Sequence, residues 1–158
     1  MSWRNVRQKF GFCGRAFGGV WLGRGSWGRN PWAFWGGGNN DTLKGGAGRD
    51  TLEGYDGDDR LEGEGDSDTL HGNAGNDTLI AGDGSDRVYG DAGNDLIDLG
   101  SGSDYGFGWD GDDVFESTLD GVWDRIDGGN GYDSIMGFDR AGDYGVDDTI
   151  ENVEYGTD

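Results

Sequence analysis

Asp41, Asp50, Asp59, Asp68, Asp77, Asp86, Asp95, Asp104 and Asp113 follow one another at intervals of nine residues, and Asp124 and Asp133 repeat the interval after a two-residue insertion near Ser117 and Thr118. Eleven units in which the same position is acidic do not arise from an Asp-rich composition by chance. A carboxylate can act as a general acid or base, as a hard oxygen ligand, or as a solvated charge. The fixed interval favours ligation. When repeats stack, their equivalent carboxylates form ladders of like charge, and a cation between successive rungs relieves the repulsion. Calcium suits such a ladder better than magnesium, because it accepts six to eight oxygens in tolerant geometry. The single histidine, His71, excludes any zinc site needing two imidazoles, and the single cysteine, Cys13, excludes an intramolecular disulfide.

Other chemistries find little support. The neighbours Asp58 and Asp59 could form an acid–base pair, but carboxylates facing solvent or calcium account for them better. No Ser-centred nucleophile elbow and no HExxH motif occurs. Gly23 to Gly28 and Gly106 to Gly111 match GxGxxG without the βαβ surroundings a nucleotide needs. His71 is expected to point outward as a surface residue. Thr42, Thr51, Thr69 and Thr78 could form outward rows able to hold a sugar polymer or ice, but Arg60 and Arg87 interrupt them and the strand preference of Thr explains them equally. No catalytic residue, and so no enzyme, is expected.

The elements that must position the carboxylates follow from the same period. With the recurring Asp as position six, position eight reads Leu43, Leu52, Leu61, Leu70, Leu79, Val88, Ile97, Gly106, Phe115, Ile126 and Ile135, apolar in ten of eleven units. Position one is Gly in eight units, and position four is Gly except at Asn39, Asp66 and Val122. Six residues of Gly-rich turn followed by three of strand cannot bury an apolar face alone. Two such units make an 18-residue coil with a strand on each side, and stacked coils give two parallel sheets with position eight inward as a single file. Units two apart then share an edge, about 4.8 Å from one another. Asp41, Asp59, Asp77, Asp95 and Asp113 fall on one edge, and Asp50, Asp68, Asp86 and Asp104 on the other. If each adjacent pair holds one ion, about seven in-phase sites result.

The pattern G-G-x-G-x-D-x-U-x, seen in Gly45-Gly46-Ala47-Gly48-Arg49-Asp50-Thr51-Leu52-Glu53, resembles the repeats-in-toxin (RTX) or hemolysin-type calcium-binding repeat. The resemblance implies an all-β, right-handed parallel β-roll, a β-solenoid of nonapeptide repeats, with calcium between the Asp-bearing turns. It also implies a secreted, extracellular module that is unfolded inside the cell and folds on meeting calcium. Members exported by type I machinery carry an uncleaved C-terminal signal beyond the repeats, whereas only a short acidic tail follows them here.

Composition agrees with a need for metal. Only 32% of the 158 residues are hydrophobic and the net charge is −20, a balance that normally leaves a chain disordered. Residues 1–35 hold six of the twelve basic residues and no acid, so the six other cations face all 32 acids, a balance of −26 over residues 36–158. That block repels nucleic acid and anionic membranes. No apolar run in residues 1–35 is long enough for a secretory h-region or a membrane span.

Three regions result: a basic, aromatic, Gly-rich leader (1–35) expected to be disordered, the calcium-binding roll (36–136), and a C-terminal capping segment (137–158) with a last strand expected in 147–155. The leader, with Trp3, Trp21, Trp27, Trp32 and Trp35 among its cations, reads as a flexible leader, a fusion remnant or a severed segment. It could otherwise bind nucleic acid or lipid, or dock on the acidic roll. Gly106 leaves a gap at a core position, flanked by Tyr105, Phe107 and Trp109 that could cover it; it reads as a degenerate unit near the end of the array, with a ligand groove as the alternative. Beyond calcium, the protein or polysaccharide partner is open. The leading reading is a calcium-dependent folding switch. The alternatives are an accessory portion of a secreted hydrolase or toxin whose active domain is absent here, and a surface-layer or adhesion component.

Overall fold

Position eight is the one position that is large and apolar in nearly every nonapeptide, so each strand must be short and must face a second strand across a narrow interior. The computed structural model, which describes residues 20–22, 32–116, 122, 124–136 and 149–152, has this form. Its strands are β1 (Val20–Leu22), β2 (Ala33–Gly38), β3 (Thr42–Ala47), β4 (Thr51–Asp56), β5 (Arg60–Gly65), β6 (Thr69–Ala74), β7 (Thr78–Gly84), β8 (Arg87–Ala92), β9 (Leu96–Asp98), β10 (Ser101–Gly102), β11 (Tyr105–Asp110), β12 (Val114–Glu116), β13 (Arg125–Asn130), β14 (Ser134–Met136) and β15 (Thr149–Glu151). Among the described residues there is no helix long and apolar enough to cross a membrane.

Two sheets run in the orders β1-β3-β5-β7-β9-β12-β14, with β10 beside β7, and β15-β13-β11-β8-β6-β4-β2. The pairings are parallel and make a β-solenoid of about five turns. Thr42 pairs with Arg60, Arg60 with Thr78, and Thr78 with Leu96, so one coil is two nonapeptides. After the insertion the step lengthens by two residues, with Tyr105 opposite Arg125 and Val114 opposite Ser134. The strand expected in 147–155 is present as β15 beside β13. Strand also lies ahead of residue 36: β1 pairs with β3, and β2 begins at Ala33 and pairs with β4. An open parallel sheet offers unpaired backbone groups at its first coil, and these segments satisfy them. The rest of the leader, residues 1–19 and 23–31, lies outside the described residues.

The interior is two facing rows rather than a single file. Leu43, Leu61, Leu79, Ile97 and Phe115 come from one sheet and Leu52, Leu70, Val88 and Ile126 from the other, each essentially inaccessible to solvent. Two further core residues, Ala81 and Leu99, stand at position one. Leu99 corrects the expectation at Gly106: a Cβ there would meet Phe115 Cε1 at 3.0 Å and Leu99 Cδ2 at 3.1 Å, so the gap is filled from within. Neither a cover of aromatics nor a groove is needed. Tyr105 and Trp109 are exposed, and Phe107 stacks outward on Tyr89, which stacks in turn on His71.

Candidate metal centre

Each turn delivers its Asp to one of two edges. The first edge carries Asp41, Asp59, Asp77, Asp95, Asp113 and Asp133, and the second carries Asp50, Asp68, Asp86, Asp104 and Asp124. All eleven side chains are buried, 0 to 4% exposed. One carboxylate oxygen is accounted for throughout. The Asp59 backbone N–H donates to Asp77 Oδ1 at 2.7 Å, and Asp77 N–H to Asp95 Oδ1 at 2.7 Å. On the second edge Asp50 donates to Asp68 and Asp68 to Asp86, again at 2.7 Å. Both ladders continue across the insertion, to Asp133 from Asp113 at 2.9 Å and to Asp124 from Asp104 at 3.0 Å.

The other oxygen is different. Oδ2 of Asp50, Asp59, Asp68, Asp77, Asp86, Asp95, Asp113 and Asp133 is buried without a hydrogen-bond partner. An unpaired ionised oxygen in this position costs several kcal/mol. Burial pushes the carboxyl of Asp68 up to about 8, opposed by the Asp50 N–H and reinforced by the charges of Asp86, Asp50 and Asp66. For the same reasons Asp95 rises to about 7 and Asp77 and Asp113 to about 6. Asp50, Asp59, Asp86 and Asp133 are raised too, with burial the largest cause. These groups demand either a proton or a cation.

Glycine at position one leaves open space beside this oxygen. At Gly45 the place a Cβ would take lies 2.9 Å from the Gly63 carbonyl oxygen and 3.0 Å from Asp50 Oδ2. At Gly63 it lies 2.5 Å from the Ala81 carbonyl and 2.6 Å from Asp68 Oδ2. Gly54, Gly72, Gly90, Gly108 and Gly128 repeat the arrangement, each with its own Asp Oδ2 and a carbonyl from the next coil. Each empty Cβ place is thus a small cradle walled by acceptor oxygens. No three Asp, Glu, His or Cys side chains converge among the described residues, so the other oxygens available around such a place are backbone carbonyls. An oxygen-only set with one carboxylate per turn fits a hard, geometrically tolerant ion.

The fourth position controls how closely turns stack. Gly93 has φ +135°, and a Cβ there would run into the Gly75 carbonyl of the neighbouring coil. At position two the left-handed conformation holds even where the residue is not glycine: Tyr55, Glu64, Asn73, Asp91 and Trp109 have φ between 73° and 78°. The stacking pattern overrides their own preference.

Four copies of the RTX calcium-binding nonapeptide repeat match the chain, at residues 35–70, 63–97, 71–106 and 80–115. The chain belongs to the RTX calcium-binding repeat family. No curated protein and no solved structure matches it. The RTX repeats bind calcium, and the sheets above are the scaffold on which they do so. Every Asp expected to be a ligand lies on one of the two edges, six on the first and five on the second.

Two features of the site were not anticipated. The carbonyls at position one are one, and their only trace in the sequence is the glycine that leaves room beside them. The other is a second, outer ladder at position five. Asp58 N–H donates to Asn40 Oδ1 at 3.0 Å, Asn76 N–H to Asp58 Oδ1 at 2.9 Å, Asn94 N–H to Asn76 Oδ1 at 2.8 Å, and Asp112 N–H to Asn94 Oδ1 at 3.0 Å. Asp58 therefore serves the turn backbone, and the recurrence of Asn or Asp at position five of the first-edge units, from Asn40 to Asp112, was its legible signal.

Proposed function

We propose that this chain is a secreted module whose roll forms when calcium of the extracellular medium fills its turns, and which stays unfolded where calcium is scarce. The buried Oδ2 atoms without donors carry this reading. In the calcium-free fold Asp50, Asp59, Asp68, Asp77, Asp95, Asp113 and Asp133, when ionised, each hold an unpaired oxygen near a carbonyl from the next coil, so closing these turns brings oxygens together with nothing between them. A bound calcium ion supplies the positive charge that joins them. Asp50, Asp59, Asp68, Asp77, Asp95, Asp113 and Asp133 would each contribute Oδ2, joined by a backbone carbonyl of the following coil, with further turn carbonyls or water needed to fill the shell.

The core cannot replace this contribution. About ten buried apolar side chains are too few to offset the ordering of some 100 residues. Extracellular sites of this kind have dissociation constants on the order of 10⁻⁴ to 10⁻³ M, so they empty in cytosol and fill outside. A calcium titration followed by far-ultraviolet circular dichroism, with magnesium as control, tests the proposal. The expected result is a cooperative gain of β signal with calcium alone, weakened by Asp77→Ala. An unchanged spectrum would remove the switch.

A further inference from the structure

The two edges are not equal. On the first edge position one is glycine in every unit: Gly36, Gly54, Gly72, Gly90, Gly108 and Gly128. On the second edge it is glycine only at Gly45 and Gly63, followed by Ala81, Leu99 and Leu119. Ala81 and Leu99 are fully buried members of the core. Leu119 lies outside the described residues.

From this we infer that calcium occupies the whole of the first edge but only the N-terminal part of the second, because side chains fill the cradles at Ala81 and Leu99. The inference rests on the calcium reading of the turns and refines where the ions go. At Gly63 the Cβ place is 2.6 Å from Asp68 Oδ2, so a methyl and a metal-ligating oxygen cannot share it. Ala81 puts a methyl there, beside Asp86. Leu99 puts a whole isobutyl group there and turns it toward Gly106, where it takes the space of the missing position-eight side chain. Loss of the core residue at Gly106 and loss of the cradle at Leu99 are thus one compensated change: that stretch of the roll has exchanged a cation for apolar packing. Its strands β8, β9 and β11 keep the ordinary register, so the exchange leaves the coil intact.

Calcium ions per chain, counted by native mass spectrometry on the full-length protein, test this. Asp95→Asn and Asp86→Asn each keep an acceptor for the ladder hydrogen bond while removing the charge. The expected result is that Asp95→Asn loses at least one ion whereas Asp86→Asn keeps the wild-type count. Ala81→Gly reopens the cradle and is expected to gain one ion. Equal losses from the two Asn variants, or no gain with Ala81→Gly, would overturn the inference while leaving calcium binding intact. A wild-type chain that binds no calcium would instead overturn the underlying reading as well.

Discussion

The turns and the sheets of this roll are stabilised by opposite means. Along the sheets, Leu43, Leu61 and Leu79 stack on one side and Leu52, Leu70 and Val88 on the other, and their burial is favourable under any ionic condition. Along the turns, buried carboxylates face carbonyls, an arrangement that opposes folding until a cation or proton arrives. The difference teaches that the strand period supplies shape whereas, on the proposed reading, the turn chemistry sets the condition under which that shape forms. It also implies that a perturbation of the turns changes the response to calcium, whereas a perturbation of the core changes stability at every calcium level.

Removing calcium should have the largest effect, since it acts on all turns at once: the calcium-free chain at neutral pH is expected to lose most of its β signal in circular dichroism. Retention of a cooperative thermal transition without calcium would erase the contrast between turns and sheets. Protons should replace calcium in part. The folded carboxyls lie above the ordinary value of 3.8, so the stability they lend to the calcium-free fold is complete below that pH. It is lost as pH rises through about 6 for Asp77 and Asp113, about 7 for Asp95 and about 8 for Asp68. Dialysed, calcium-free protein taken from pH 8 to pH 4 should therefore gain β structure. A spectrum that does not change, or that loses β signal, would show that the ladders are not what opposes folding.

A core truncation comes next. Leu70→Ala is expected to destabilise the calcium-loaded roll by about 2–5 kcal/mol in urea denaturation. A shift in calcium midpoint without loss of saturating stability would contradict the division.

The same substitution made in both regions gives a sharper comparison. Gly72→Ala puts a methyl 2.7 Å from the Gly90 carbonyl and against Asp77 Oδ2, so it should raise the calcium midpoint severalfold. Gly106→Ala meets only the ends of Phe115 and Leu99, which can yield, and should change stability by no more than about 1 kcal/mol with the midpoint unaltered. Equal calcium responses in the two variants would argue against the cradle. The smallest effect belongs to the outer face: Arg87 lies 5.4 Å over the Tyr105 ring, and Arg87→Ala should cost below about 1 kcal/mol, read from the melting temperature in saturating calcium.

Much of this was legible because a nine-residue period leaves few options. The Asp at position six and the Leu at position eight identify turn and strand without any knowledge of contacts, and doubling the unit assigns each Asp to an edge. What could not be read was how a defect is repaired. Gly106 looks like a hole because its partner Leu99 stands seven residues earlier, at a position that glycine usually occupies, and nothing in a one-dimensional alignment says that the two side-chain volumes meet. The role of position one was obscured in the same way, since a glycine announces missing volume without naming the atoms that use it.

The sequence by itself determined the repeat, the two-sheet coil and the placing of an Asp in every turn, and it pointed to a hard oxygen-bound cation, because these depend on period and residue type alone. Only the tertiary structure decided which carboxylate oxygen is satisfied by a backbone N–H, which is left buried without one, and where a side chain has closed the space. Those outcomes depend on distances between residues eighteen apart in the chain, and they are fixed when the coils stack and a missing Cβ on one turn meets a carbonyl on the next.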